Sequence, residues 1–182
     1  MPKNQTFDEF YSTFREEVLC ASDTETSGWT TEDFLTNVMI EYLEEAGEVT
    51  DPVICPFRGY GLQMNAYAIS EDCESVDIFV SIYSESDRPR SVSQADIDAA
   101  IKRAIQLYHK AINDLYTAFQ KDNDTYEFAI TLHQNKDNIK HVRICALTNG
   151  LVKPIALKNI TIGDAEISFS LWDVDRLYRC VT

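Results

Sequence analysis

The stretch GLQMNAYAISEDCESVDIFVSIYS, Gly61 to Ser84, reads as two alternating β-strands joined by the polar tetrapeptide Glu71-Asp72-Cys73-Glu74. Successive side chains of a strand point to opposite faces, so Leu62, Met64, Ala66 and Ala68 share one face of the first strand. Val76, Ile78, Val80 and Ile82 share one face of the second, and the opposite faces hold Asn65 and Ser81. A capped amphipathic helix precedes the hairpin. Thr30 and Asp33 form its N-terminal signature, Phe34, Leu35, Val38, Met39, Tyr42, Leu43 and Ala46 its apolar stripe, and Gly47 its stop.

Further out on the N-terminal side, Thr6 and Glu9 fit a capping box, and Phe7, Phe10, Tyr11, Phe14 and Val18 predict a first helix ending near Ala21. Ser22 to Gly28 reads as a polar linker. Asp51 to Tyr60 holds two prolines and predicts an edge strand or an extended connection. After the hairpin and the charged loop Glu85 to Val92, Ser93 caps a long helix whose apolar period runs from Ile97 to Phe119. Tyr126 to His133 reads as a short helix, Val142 to Leu147 as a buried strand and Ile167 to Trp172 as another. Asp173 caps a last helix through Leu177 and Tyr178. Strands separated by a long helix need a crossover, so the expected fold is α/β, a mixed central sheet with helices on both faces. One domain is expected over 1–182, with a helical part at 6–47 and a sheet and long-helix core at 52–182.

Composition narrows the function. Thirty acidic against sixteen basic residues give a net charge of −14. Such a surface repels phosphate backbones, because non-specific nucleic acid affinity comes from Lys and Arg displacing counterions. Free nucleic acid is therefore a disfavoured partner, with Arg88-Pro89-Arg90 and Lys102-Arg103 the local basic exceptions. The start lacks a signal-peptide stretch and no apolar run is long enough to span a bilayer, so no membrane role and a cytoplasmic location are expected. Five cysteines without a Cys-x-x-Cys pair predict reduced thiols. His109, His133 and His141 are too dispersed for a zinc motif, and no Walker loop, dinucleotide fingerprint or nucleophile elbow occurs.

The helix end Glu44-Glu45-Ala46-Gly47-Glu48, the strands around Met64-Asn65-Ala66-Tyr67 and Asp77-Ile78-Phe79-Val80-Ser81, and the ending Leu171-Trp172-Asp173-Val174-Asp175-Arg176-Leu177-Tyr178 resemble the N-terminal domain of AIPR proteins. That is the abortive infection phage resistance family. The resemblance implies a restriction-endonuclease-like core and a longer parent protein. In nucleases of that fold a hairpin Asp and a Glu-x-Lys bind a divalent metal and activate water, with a helical Glu often adding a ligand.

Here Asn65 stands at the Asp position, where the family often has Ile-Asp-Gly-Tyr and this chain Met-Asn-Ala-Tyr, and Ser81 and Tyr83 stand at the Glu and Lys positions. Amides and hydroxyls supply no negative charge, so Mg²⁺ loses its electrostatic support. The degenerate-site candidates are thus Glu45, Asn65, Asp77, Ser81 and Tyr83. Glu45 borders the helix's apolar stripe whereas Glu44 points away from it, which makes Glu45 the better vestigial ligand. A non-cutting interaction or regulatory module is the leading expectation, with no cofactor and a protein or the rest of a longer chain as partner. The alternatives are a divergent Mg²⁺ nuclease using Glu45, Asp77 and Glu85, and a ligand-free homo-oligomerisation domain.

Overall fold

The computed structural model describes residues 4–24 and 28–182. The hairpin strands β2 (Leu62–Ile69) and β3 (Ser75–Ile82) lie inside a six-stranded sheet. Edge strand β1 (Val53–Gly59) pairs antiparallel with β2, and β2 with β3. Strands β4 (His141–Thr148) and β6 (Ala165–Trp172) extend the sheet in parallel, and β5 (Ile160–Ile162) runs antiparallel to β6, giving the order β1-β2-β3-β4-β6-β5. The parallel step from β3 to β4 uses α3 (Gln94–Asn113) and α4 (Asp124–Gln134) as its crossover.

Each sheet face has its own core. On one side Val76, Ile78 and Val80 of β3 and Val142, Ile144 and Ala146 of β4 pack with Ala104, Leu107 and Tyr108 of α3 and Phe128 of α4. On the other, Phe79, Cys145 and Trp172 meet helices α1 (Phe7–Thr24), α2 (Thr31–Glu45) and α5 (Val174–Val181) through Phe10, Phe14, Leu35, Met39, Leu43 and Leu177. A mixed α/β sheet covered on both faces is therefore what forms. The Trp-Asp pair has a structural role: Asp173 caps α5 by accepting the Arg176 N–H at 2.8 Å and ties in the Val152 N–H at 2.8 Å. Trp172 lies under the Arg176 guanidinium, 3.7 Å from its ring centre.

Three expectations are corrected in detail. The single apolar face expected for Leu62 to Ala68 is divided: Leu62 and Met64 join the α3 side, whereas Ala66 and Ala68 join the α2 side. The β1–β2 register shifts between Ile54 and Phe57, opposite Asn65, and such a shift re-aims every side chain beyond it. The long helix stops at Asn113, and its apolar continuation folds into a 3-10 turn at Leu115–Ala118, which lets Phe119 pack edge-on against Phe57 at 5.3 Å. Strand β5 has no apolar alternation long enough to mark it in the sequence. The polar linker expected over Ser22–Gly28 is shortened by α1, which runs to Thr24, and residues 25–27 lie outside the described residues, as do 1–3. Among the described residues no helix is long and apolar enough to cross a membrane.

A candidate functional site at the start of α2

The β2–β3 ladder runs from Ile69–Val76 to Ala66–Phe79. Beyond it, side-chain amides take over the pairing. Asn65 Oδ1 accepts the Ser81 N–H at 2.9 Å, and Gln63 Nε2 donates to the Ser81 carbonyl at 3.3 Å and to Asn65 Oδ1 at 3.1 Å. All three residues are at most 3% exposed. Buried polar groups demand partners, so a strand end separated from its neighbour needs such substitutes for the missing backbone ladder.

The first turn of α2 closes the cluster from above. Thr30 and Asp33 make a reciprocal capping box, which fixes where the helix begins and sets Asp33 Oδ1 3.1 Å from Asn65 Nδ2. Glu32 Oε1 accepts from Arg58 at 3.0 Å, Gln63 Nε2 at 3.0 Å and Asn65 Nδ2 at 3.3 Å. Arg103 of α3 donates to Gln63 Oε1 at 2.9 Å, and Thr36 Oγ1 meets Ser81 Oγ at 2.6 Å. A cleft of about 460 Å³ opens over this cluster, with Thr30, Arg58 and Tyr83 on its walls.

Three of the residues expected from the sequence meet at this cleft. Asn65 and Ser81 bond directly and Tyr83 lines the wall. Glu45 lies exposed at the C-terminal end of α2, on the order of 18 Å along the helix axis from Glu32 and Asp33 at 1.5 Å per residue. Asp77 sits near the opposite end of β3, held bidentately by Arg143 at 3.1 and 2.8 Å. Glu85 is exposed on the loop that follows β3. The acids that do meet Asn65 are Glu32 and Asp33, which sequence reasoning missed by searching the end of the helix instead of its start. The signal was present: Thr30-x-x-Asp33 locates the helix N-terminus, and Gln63 and Asn65, two residues apart, share a strand face.

The oxygens that face the cluster are filled by N–H and O–H donors. Glu32 Oε1 has three, Asp33 Oδ1 has the Asn65 amide, and Asp33 Oδ2 has the Thr30 N–H at 2.9 Å and hydroxyl at 3.0 Å. A hard divalent cation needs those same lone pairs, and the Asn65 NH₂ group occupies the middle of the acid pair. The arrangement thus works as a polar latch joining α2 to the divided strands.

Burial pushes the Glu32 carboxyl above the ordinary 4.5 of a free glutamate, while Arg58 and the Asn65 amide pull it back. A folded-state value above the unfolded one means that ionising Glu32 costs stability. The cost begins as pH rises past the unfolded value and is complete above the folded one. Glu32→Gln should therefore flatten the stability–pH profile upward from about pH 4.5 relative to the parent chain. Paired thermal melts across that window check this, and parallel profiles would show that Glu32 is not the titrating group.

These features define a class of protein: a three-layer α/β domain whose cleft is built on interlocked amides and carboxylates. Residues 35–179 match the family described as the abortive infection phage resistance protein N-terminal domain. The chain belongs to that family. The matched span holds Asn65, Ser81 and the Trp172-Asp173 pair, while Glu32 and Asp33 lie just N-terminal to it. Comparison with curated proteins and with solved structures gave no match.

Proposed function

We propose that this chain is a nuclease-derived domain of an abortive infection phage resistance protein that has lost the cutting reaction and serves as an interaction or regulatory module. The family membership supports the anti-phage setting. One observation carries this reading: the amide of Asn65, which the family resemblance sets at the metal-binding Asp position of restriction-endonuclease-like folds, donates to both nearby acids, Glu32 and Asp33. A carboxylate there would share a cation with them; an amide replaces the cation by hydrogen bonds. Ser81 and Tyr83, which the same resemblance sets at the Glu and Lys positions, add neither charge nor a basic amine, and the Ser81 hydroxyl is engaged by Thr36.

Purified protein incubated with plasmid, linear duplex DNA and RNA in Mg²⁺ or Mn²⁺ should leave every substrate intact. Cleavage that either Glu32→Gln or Asp77→Ala abolishes would overturn this reading in favour of a divergent nuclease. The partners this module would serve are proteins, among them the rest of a longer chain, since net charge −14 opposes nucleic acid.

A further inference from the structure

Strand β5 covers only the start of β6. Its pairing spans Ile162–Ala165 to Ile160–Ile167, yet β6 continues to Trp172. The Glu166 N–H donates to the Lys140 carbonyl at the β4 side, so by strand alternation Phe169 and Leu171 direct their backbone groups the other way, outward. Arg176 occupies the Leu171 carbonyl at 2.6 Å. Among the described residues no backbone group of another strand or loop bonds the Phe169 N–H, the Phe169 carbonyl or the Leu171 N–H. The Phe169 and Leu171 side chains are only partly covered by the α3 side of the core. A cleft of about 540 Å³ lies along this edge, bounded by α5 and by Val152–Leu157, a segment that forms no strand.

The charge around the edge is opposite to that of the chain. Lys153, Arg176 and Arg179 line the cleft; of the acids beside them, Asp173 has both oxygens taken by the Val152 and Arg176 N–H groups and Asp175 pairs with Arg179 at 3.0 Å, which leaves the rim with more positive than negative charge. We propose that the open edge of β6, Ser168 to Leu171, takes an extended acidic segment of a protein partner as an added strand. Unpaired edge groups supply main-chain hydrogen bonds, half-buried Phe169 and Leu171 offer apolar contact to alternate side chains, and the basic rim selects acidic ones. A second copy fits less well. A two-fold contact through so short an edge would bring each copy's arginines toward their equivalents. The proposal rests on the interaction-module reading and gives it a surface; the cleavage assay tests that reading, and the titration below tests the edge alone.

A labelled peptide of alternating Val and Glu, about ten residues or one strand long, is titrated with the full chain and followed by fluorescence polarisation. Binding is expected. It should weaken by about tenfold or more when alternate peptide nitrogens are methylated, and likewise against Arg179→Glu protein of unchanged circular dichroism. Hydrogen exchange of the bound protein should slow at Phe169 to Leu171. No binding, equal binding of the methylated or a Val-Lys peptide, protection elsewhere, displacement by single-stranded oligonucleotide, or an edge closed by dimers in light scattering would each overturn the proposal.

Discussion

Asn65→Asp is expected to destabilise the protein by about 3–5 kcal/mol at pH 7, the cost of leaving a buried charge without a compensating partner. The change is one atom in size, so packing hardly enters. What changes is the sign of the interaction: the amide now donates at 3.3 Å to Glu32 and at 3.1 Å to Asp33, and a carboxylate would instead place a third negative group against both. The Ser81 N–H keeps its acceptor, so the strand contact survives and the loss isolates the acid side of the latch. Desolvation and like charge both raise the folded-state pKa of the new acid. The penalty should therefore be full at neutral pH and shrink as the solution is acidified, its charge part vanishing only below the ordinary Asp pKa of about 3.9, where the group is protonated in both states. Urea denaturation at several pH values measures this directly. A variant as stable as the parent at pH 7 would mean that the Asn65 amide is not what holds Glu32 and Asp33 together.

Much of the fold is legible in the sequence because the forces that set it are local or periodic. The α2 stripe from Phe34 to Leu43 and the Ile97 to Tyr108 period of α3 each fix a buried face, and the caps at Thr30, Ser93 and Asp173 lie where side-chain oxygens accept backbone N–H groups. Strands β3 and β4, buried on both faces, read as near-continuous apolar runs. The site is less legible for three physical reasons. Asn65 and Ser81 read as polar outward-facing residues, yet both are buried, because α2 covers that face and the register shift opposite Asn65 turns the amide toward it. The helical acid is chosen by how far along α2 it lies, and periodicity reports only the angle around the axis, which favoured Glu45 over residues a whole helix length away. Arg58 and Arg103 come from β1 and α3, distant in sequence from the Glu32 carboxylate and the Gln63 amide to which they donate. Long-range pairing of that kind has no period to betray it.

Asp33→Ala should be the second most damaging change, at about 2–4 kcal/mol, because it removes a helix cap and a buried acceptor at once. Asp33 completes the capping box by accepting from the Thr30 N–H at 2.9 Å and also receives the Asn65 amide at 3.1 Å, so one side chain both starts α2 and ties it to the sheet. The two roles separate in a double-mutant cycle. Asn65→Ala alone strands the Ser81 N–H, the Asp33 carboxylate and part of the Glu32 acceptance, for a loss of roughly 2–3 kcal/mol. If the latch is one unit, the double variant loses less than the sum of the singles by about 1–2 kcal/mol, since the Asp33–Asn65 bond is broken only once. Pairing Asn65→Ala with Arg179→Ala, on the far side of the sheet order beyond β6, should instead add within about 0.5 kcal/mol. Denaturant midpoints of the six proteins decide between these outcomes. Strict additivity at Asp33 and Asn65 would reduce the latch to two independent contacts.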